Sequence, residues 1–134
     1  MTRMLAAFGG TALMLVVLDA LWIFFAGPKI YRPIIGEILA DKVNFAPAVI
    51  FYVVYVLGVT ILAVRPAINS GRWQEAAILG LILGVVAYAT YDLTNQATLK
   101  VWATKITLID LTWGAFLTAA GALAGFYASK LVSR

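Results

Sequence analysis

Hydrophobic residues are gathered along this chain in four long stretches, and most charged residues lie between the stretches. The stretches cover about residues 4–26, 45–64, 74–95 and 106–129. A helix needs roughly 20 apolar residues to cross a hydrocarbon core of about 30 Å, and each stretch reaches or approaches that length. The pattern therefore predicts an all-α fold, an integral membrane four-helix bundle, with residues 1–134 forming a single transmembrane domain.

The connection between the first and second spans, residues 27–44, is too long for a tight turn. Its apolar and charged side chains separate onto two faces at helical spacing, which predicts a short interfacial helix at the level of the lipid headgroups. The apolar face would carry Ile34, Ile35, Ile38 and Leu39.

Proline and glycine positions predict how the spans are built and packed. Proline breaks a helix interior, and Pro28, Pro33, Pro47 and Pro66 all lie outside the span interiors, so unbroken helices are expected. Stripes of small residues let membrane helices approach closely. We expect one half of the bundle to be closed by such residues, namely Gly9, Ala12, Gly80, Gly84, Gly121 and Gly125.

Composition strengthens the membrane assignment and excludes several kinds of chemistry. Hydrophobic residues make up 63% and charged residues 12% of the chain, against about 45–50% and 25% in soluble proteins. The chain has no histidine and no cysteine, which excludes a structural zinc site and a Ser-His triad. Neither a metal site nor a cofactor is expected. The net charge of +4 comes from basic residues scattered between the spans, which favours a lipid surface over nucleic acid as the partner.

The distribution of lysine and arginine leaves the orientation nearly balanced. Even alternation places five basic residues on each side of the membrane, so the positive-inside rule does not decide by count. The short loop between the second and third spans carries Arg65 and Arg72, and the C-terminal end is also basic. These two features favour cytoplasmic termini.

Three aspartates, Asp19, Asp92 and Asp110, lie within or at the ends of the apolar stretches. Alternation of the spans brings all three toward the side that carries residues 27–44 and 95–105. An ionisable side chain at a helix centre costs roughly 2.5–3.5 kcal/mol on insertion scales. Three of them at one end of the bundle predict a shared polar pocket.

Aromatic and amide side chains at helical spacing extend this predicted pocket. Tyr88, Tyr91, Asp92 and Asn95 share one face of the third span, and each of Asp19 and Asp110 has a tryptophan three residues later. Phenol and indole groups donate hydrogen bonds that can satisfy a buried carboxylate. An alternative that fits these residues equally well is a purely structural role, in which they form hydrogen bonds between helices and bind nothing. The pocket candidates are Asp19, Trp22, Tyr52, Tyr55, Tyr91, Asp92, Asn95, Asp110 and Trp113.

Three sequence segments resemble a known family. The run YDLTNQATLKVW at residues 91–102, Arg65-Pro66-Ala67 and Asp110-Leu111-Thr112-Trp113-Gly114 are similar to segments of small four-helix bacterial inner-membrane proteins classified as a domain of unknown function. The resemblance covers nearly the whole chain. It implies a bacterial inner-membrane location and four spans, and it supplies no activity.

Three functional hypotheses follow from the residues. The first is a binding protein or carrier whose aspartate pocket takes a cation, a proton or a small amphipathic solute, since carboxylates without His or Cys suit hard cations and protons. One small protomer encloses little volume, so a carrier would work as a homodimer. The second is an enzyme acting on a lipid or isoprenoid at headgroup level, with Asp19 or Asp110 as acid or base. The third is an accessory subunit of a membrane complex.

Overall fold

Four helices make up the computed structural model, which describes residues 1–133. They are α1 (Thr2–Ile38), α2 (Phe45–Ser70), α3 (Trp73–Thr98) and α4 (Thr104–Leu131), and each is long and apolar enough to cross a membrane. No strand occurs within residues 1–133. The all-α class and the four helices predicted from the hydrophobic pattern are therefore confirmed.

The helix ends follow from local sequence signals. Asn44 precedes α2 and its side-chain oxygen accepts a hydrogen bond from the Ala46 backbone N–H at 3.2 Å, which caps the helix. Gly71 ends α2 in the left-handed region, at φ 73°, a conformation that glycine adopts without steric cost. The chain therefore reverses within two residues, and α2 and α3 are antiparallel neighbours.

The first helix extends beyond its predicted end. Regular α-helix covers Thr2–Ala26, a π-helical turn covers Gly27–Tyr31, and short α and 3-10 turns continue the helix through Ile38. The separate interfacial helix predicted within residues 27–44 is not shown, because the chain continues α1 instead of starting a new element. At 1.5 Å per residue, the 25 residues of regular helix alone span about 38 Å. The end of α1 therefore reaches past a core of about 30 Å.

Two π-helical turns modify the prediction of unbroken helices. They cover Gly27–Tyr31 in α1 and Thr60–Val64 in α2, and each is followed by an Arg-Pro pair. The arginine backbone N–H donates to the carbonyl five residues earlier, Gly27 or Thr60. The following proline has no N–H, and its ring crowds the carbonyl four residues before it. A wider turn at that point relieves the crowding without ending the helix.

Helix α4 is the centre of the bundle, and it packs extensively against α1 on one side and α3 on the other. Glycines set these close approaches. A Cβ atom on Gly10 would lie 2.6 Å from the Ala128 Cβ, and one on Gly80 would lie 2.9 Å from the Ala122 Cβ. Gly9, predicted to share this role, is exposed, and a Cβ atom added to it would have no neighbouring atom within 4 Å. That expectation is wrong by one helix position, since Gly10 is the residue that faces α4.

Helix α2 fills the bundle at one end only. Its second half is buried against the other helices through Val59, Thr60, Ala63, Val64 and Ala67. Most of its first half, from Phe45 to Val54, is exposed. Because α1 and α3 are held apart by α4, a gap remains between them where α2 does not penetrate. This gap lies at the end of the bundle that carries the aspartates.

Candidate functional site

The Asp19 side chain in α1 is held by donors from two other helices. The Tyr52 hydroxyl of α2 donates to Asp19 Oδ2, and the Trp113 indole N–H of α4 donates to Asp19 Oδ1 over 3.5 Å. Both donors are uncharged side chains. A half-buried carboxyl group is thus satisfied without an ion pair at these two contacts.

A cavity of about 470 Å³ lies beside Asp19, between α1, α2 and α3. Its volume falls within the range of about 300–1,000 Å³ typical of small-molecule sites. Within the part of the chain that the structure describes, its lining contains one charged side chain and several aromatic rings. The lining residues are Asp19, Ile23, Phe51, Tyr55, Ala87, Tyr88 and Tyr91.

Tyr55 and Tyr88 form the inner wall of this cavity. The Tyr55 hydroxyl is hydrogen-bonded to Thr118 Oγ1 of α4 at 2.7 Å. The Tyr88 ring packs on Gly114, where no side chain intervenes. Both rings are therefore fixed against α4 and are half-buried. Tyr91 lies at the rim, 58% exposed, with its ring edge-on to Trp102 at 5.6 Å.

A second group of polar residues surrounds Asp110 in α4. The Tyr31 hydroxyl donates to Asp110 Oδ1, and the Trp22 indole N–H donates to the Tyr31 hydroxyl at 3.0 Å. The π-helical turn of α1 makes this contact between Trp22 and Tyr31 sterically reasonable. In a regular helix nine residues correspond to about 900° of rotation, which would put the two side chains on opposite sides. The π-helical turn takes up one extra residue without extra rotation. The Trp22 and Tyr31 side chains then lie about 80° apart around the helix axis.

Stacked indoles join the two groups. The Trp22 and Trp113 rings lie 4.5 Å apart at an interplanar angle of 11°. Trp113 contacts Asp19, and Trp22 contacts Tyr31, which contacts Asp110. A continuous set of side-chain contacts therefore runs from one aspartate to the other.

Asp92 of α3 is fully buried beside Asp110. Its exposed fraction is 0% and that of Asp110 is 5%, and the two carboxyl groups adjoin each other. Neither Asp92 oxygen has a hydrogen-bond donor among residues 1–133. Two ionised carboxylates have no hydrogen to share, so this contact is satisfied only when one of them carries a proton.

A polar network in the connection between α3 and α4 adjoins the Asp92 and Asp110 pair. Thr107 Oγ1 donates to Gln96 Oε1 at 2.7 Å and accepts from the Trp102 indole N–H at 3.1 Å. Gln96 lies one helical turn after Asp92, and Thr107 lies almost one turn before Asp110. These bonds hold the two helix ends together at the loop side of the pair.

The predicted pocket residues are thus divided between two neighbouring groups. Asp19, Tyr52, Tyr55, Tyr91 and Trp113 lie at or next to the cavity, while Trp22, Asp92 and Asp110 belong to the second group. Asn95 is half-buried beside Tyr91 and is not part of the cavity lining. The sequence prediction did not include Tyr31, Phe51 or Thr118. The sequence pattern places Tyr31 in the connection between the first two spans, and only its position on a π-helical turn brings it to Asp110.

An apolar groove of about 610 Å³ lies on the outer side of α1 and α4. It contains no charged side chain among the described residues. Its lining consists of Trp22, Leu108, Ile109, Thr112, Trp113 and Phe116. Within residues 1–133 no group of three or more His, Cys, Asp or Glu side chains could hold a metal ion.

The family of predicted membrane proteins designated DUF2177 matches residues 4–127. The chain belongs to this family. Every residue of the cavity and of the Asp92 and Asp110 pair lies inside the matched region, and the family description gives a membrane protein without stating an activity. No curated protein and no solved structure matches the chain. It is therefore a membrane protein with four apolar helices.

Proposed function

We propose that this protein binds a small amphipathic cation in the cavity beside Asp19. The observation that carries the proposal is the combination of one carboxyl group with Phe51, Tyr55, Tyr88 and Tyr91 around a single space of about 470 Å³. The carboxyl group would attract the positive charge. The apolar walls would hold the hydrocarbon part of the ligand.

Aromatic rings favour a cation over a neutral solute. A cation over the face of a tyrosine or phenylalanine gains about 0.5–2 kcal/mol, with the larger values in desolvated sites. Tyr55 and Tyr88 are fixed against α4, so their rings need not be ordered when the ligand binds. Preorganised side chains lower the entropic cost of binding.

The charge balance of the cavity also supports a cation. The two donors to Asp19, Tyr52 and Trp113, are neutral, and they leave the charge of the carboxylate uncompensated. Among residues 1–133, those that line the cavity include no lysine or arginine. An uncompensated negative charge in surroundings of low dielectric constant favours a ligand of opposite charge.

Binding of tetraphenylphosphonium to the purified protein in lipid nanodiscs tests this proposal by calorimetry. Wild-type protein should bind tetraphenylphosphonium more tightly than tetraphenylborate, which has nearly the same size and the opposite charge. Asp19→Asn should weaken tetraphenylphosphonium binding by about tenfold or more, because removal of one charge contact costs on the order of 1.4 kcal/mol or more. Protein-free nanodiscs give the partition background.

Asp41→Asn is the matched control, since Asp41 is an exposed aspartate outside the cavity. It should bind tetraphenylphosphonium as the wild-type protein does. Phe51→Leu should also weaken binding, because it removes a ring and keeps an apolar side chain of similar length. Equal affinity in the wild type and Asp19→Asn, or equal affinity for the two probes, contradicts the proposal.

We also propose a location in the bacterial inner membrane, with both termini in the cytoplasm and the cavity near the opposite face. The two arginines of the short connection between α2 and α3 and the basic C-terminal end support this orientation. A homodimer is proposed for carriage across the whole membrane, because one protomer supplies a cavity at one end of the bundle only.

A further inference from the structure

Asp92 lies in an environment that an ionised carboxylate does not tolerate. It is 0% exposed, and neither of its oxygens has a hydrogen-bond donor among residues 1–133. Burial of an isolated ionised carboxyl group is very costly, and such groups become neutral or acquire a partner. A cation bound in the cavity would not be this partner, because Asp92 is not part of the cavity lining.

The neighbour of Asp92 is a second carboxyl group. Asp110 adjoins it and already accepts a hydrogen bond from the Tyr31 hydroxyl. Two negative charges side by side in buried surroundings repel strongly. One proton between the two groups removes a charge and supplies the missing hydrogen bond to Asp92.

A metal ion is a poorer fit to this pair. Ca²⁺ takes six to eight oxygen ligands, and Mg²⁺ needs near-octahedral coordination. No group of three or more acidic or metal-ligating side chains occurs within residues 1–133. A proton needs only the two oxygens that the pair provides.

We infer that Asp92 and Asp110 form a second site that binds one proton, and that a cation bound at Asp19 displaces this proton. The second half of the inference rests on the proposed cation site. Charged and titratable groups facing the pair come from several elements: Asp19 and Tyr31 on α1, Tyr88 and Tyr91 on α3, and no charged group of α2. Lys29, on the same π-helical turn as Tyr31, lies over the Phe25 ring at 4.0 Å instead of at the pair.

Electrostatic coupling between the two sites follows from their arrangement. The charge of Asp19 acts on Asp110, and the Trp113, Trp22 and Tyr31 side chains connect the two residues. A negative Asp19 favours a proton on the pair. A cation that compensates Asp19 removes this preference, and the pair releases its proton. Coupling between ligands is reciprocal, so acidification should weaken cation binding.

Infrared spectroscopy tests the proton site without any cation. The wild-type protein at neutral pH should show the C=O stretching band of a protonated carboxylic acid, with a shift in D₂O. Asp92→Asn should lose this band, because the amide donates a hydrogen bond to Asp110 and replaces the shared proton. Asp41→Asn should leave the band unchanged. A band that persists unchanged in Asp92→Asn, or is absent from the wild type, overturns the proton site.

Calorimetry with tetraphenylphosphonium tests the coupling. In two buffers of different ionisation enthalpy, the wild-type protein should release a proton on binding, whereas Asp92→Asn should release none. The affinity of the wild type should fall by about fivefold or more between neutral and acidic pH, within the usual range of coupling of about 5–150-fold. Asp92→Asn should lose most of this pH dependence.

The outcomes separate the two ideas. Full pH dependence in Asp92→Asn would show that the pair is not the group that releases the proton, and would overturn the displacement. Failure of the wild type to bind tetraphenylphosphonium overturns the cation site and the displacement together. The infrared result decides the proton site in either case.

Discussion

At the scale of single residues, neutral donors from other helices stabilise the aspartates. Insertion of an aspartate at the centre of a membrane helix costs roughly 2.5–3.5 kcal/mol, and a hydrogen bond to a charged group contributes about 1.5–3 kcal/mol. Asp19 has two such donors, Tyr52 and Trp113. The hydrogen bond from Tyr52 offsets much of this cost, and the Trp113 N–H, at 3.5 Å, makes a weaker contribution.

Tyr31 is the residue whose hydroxyl should matter most for stability. It donates to Asp110 and accepts from the Trp22 indole, so Tyr31→Phe leaves one acceptor and one donor without a partner. We expect the free energy of unfolding of this variant to be about 1–3 kcal/mol lower than that of the wild type. Thermal unfolding in detergent, followed by intrinsic fluorescence, measures the change.

Tyr127→Phe serves as the comparison, since Tyr127 is 49% exposed and lies near the other end of α4. Its melting temperature should match that of the wild type. If Tyr31→Phe were as stable as Tyr127→Phe, the contact between Tyr31 and Asp110 would contribute nothing to folding.

At the scale of helices, the π-helical turn and the glycines decide which side chains meet. The turn Gly27–Tyr31 rotates Tyr31 toward Trp22. On α3 and α4, Gly84 and Gly114 bring two backbones into contact. Because lipid supplies no hydrophobic driving force between helices, close van der Waals packing at small residues stabilises their association. This backbone contact holds α3 against α4 directly beside Tyr88, which forms part of the cavity wall.

Gly84→Ala should destabilise the protein. The added Cβ would lie 2.8 Å from the Gly114 carbonyl carbon and 2.8 Å from Thr118 Oγ1. Backbone cannot move aside cheaply, and overpacking of this kind typically costs about 1–3 kcal/mol. A lower melting temperature in the same detergent would report this cost.

Gly9→Ala is the matched substitution on a helix face without neighbours. No atom lies within 4 Å of its added Cβ, and replacement of a helical glycine by alanine contributes about 0.5–1 kcal/mol of stability. Its melting temperature should stay unchanged or rise. A loss of stability in Gly9→Ala comparable to that in Gly84→Ala would show that the close packing of α3 on α4 is not what distinguishes these positions.

At the scale of the whole molecule, the incomplete insertion of α2 creates the cavity. Its second half is buried against α1, α3 and α4, whereas most of its first half lies outside. The same helix thus closes one end of the bundle and leaves space at the other.

The four helices and their short connections predict that both termini lie on one side of the membrane. A cytoplasm-active and a periplasm-active reporter fused after Ser133 and, in a second set of fusions, inserted at Asp41 should give opposite signals at the two positions. Asp41 lies in the exposed, non-helical connection between α1 and α2, so an insertion there should be tolerated. Identical signals at the two positions would be incompatible with the three membrane crossings, α2, α3 and α4, that separate them.

Much of the candidate site follows from sequence reasoning, within limits set by helix rotation. Asp19, Asp110 and their following tryptophans could be placed at one end of the bundle, because depth along a helix depends only on residue count. Their division into a cavity beside Asp19 and a closed pair at Asp92 and Asp110 could not be predicted. That division depends on which face each helix presents to its neighbours.

The sequence by itself determined the class of protein, the number of helices and the end of the bundle where ionisable groups collect. These properties depend on composition and on distances along the chain, and both are fixed before any helix packs. Only the tertiary structure decided that Gly10 and not Gly9 faces α4, that Tyr31 reaches Asp110, and that Asp92 is left without a donor among residues 1–133. The physical reason is that one residue in a helix turns a side chain by about 100°. A single π-helical turn, or a one-residue difference in the packed face, therefore changes which groups meet while the hydrophobic pattern stays the same.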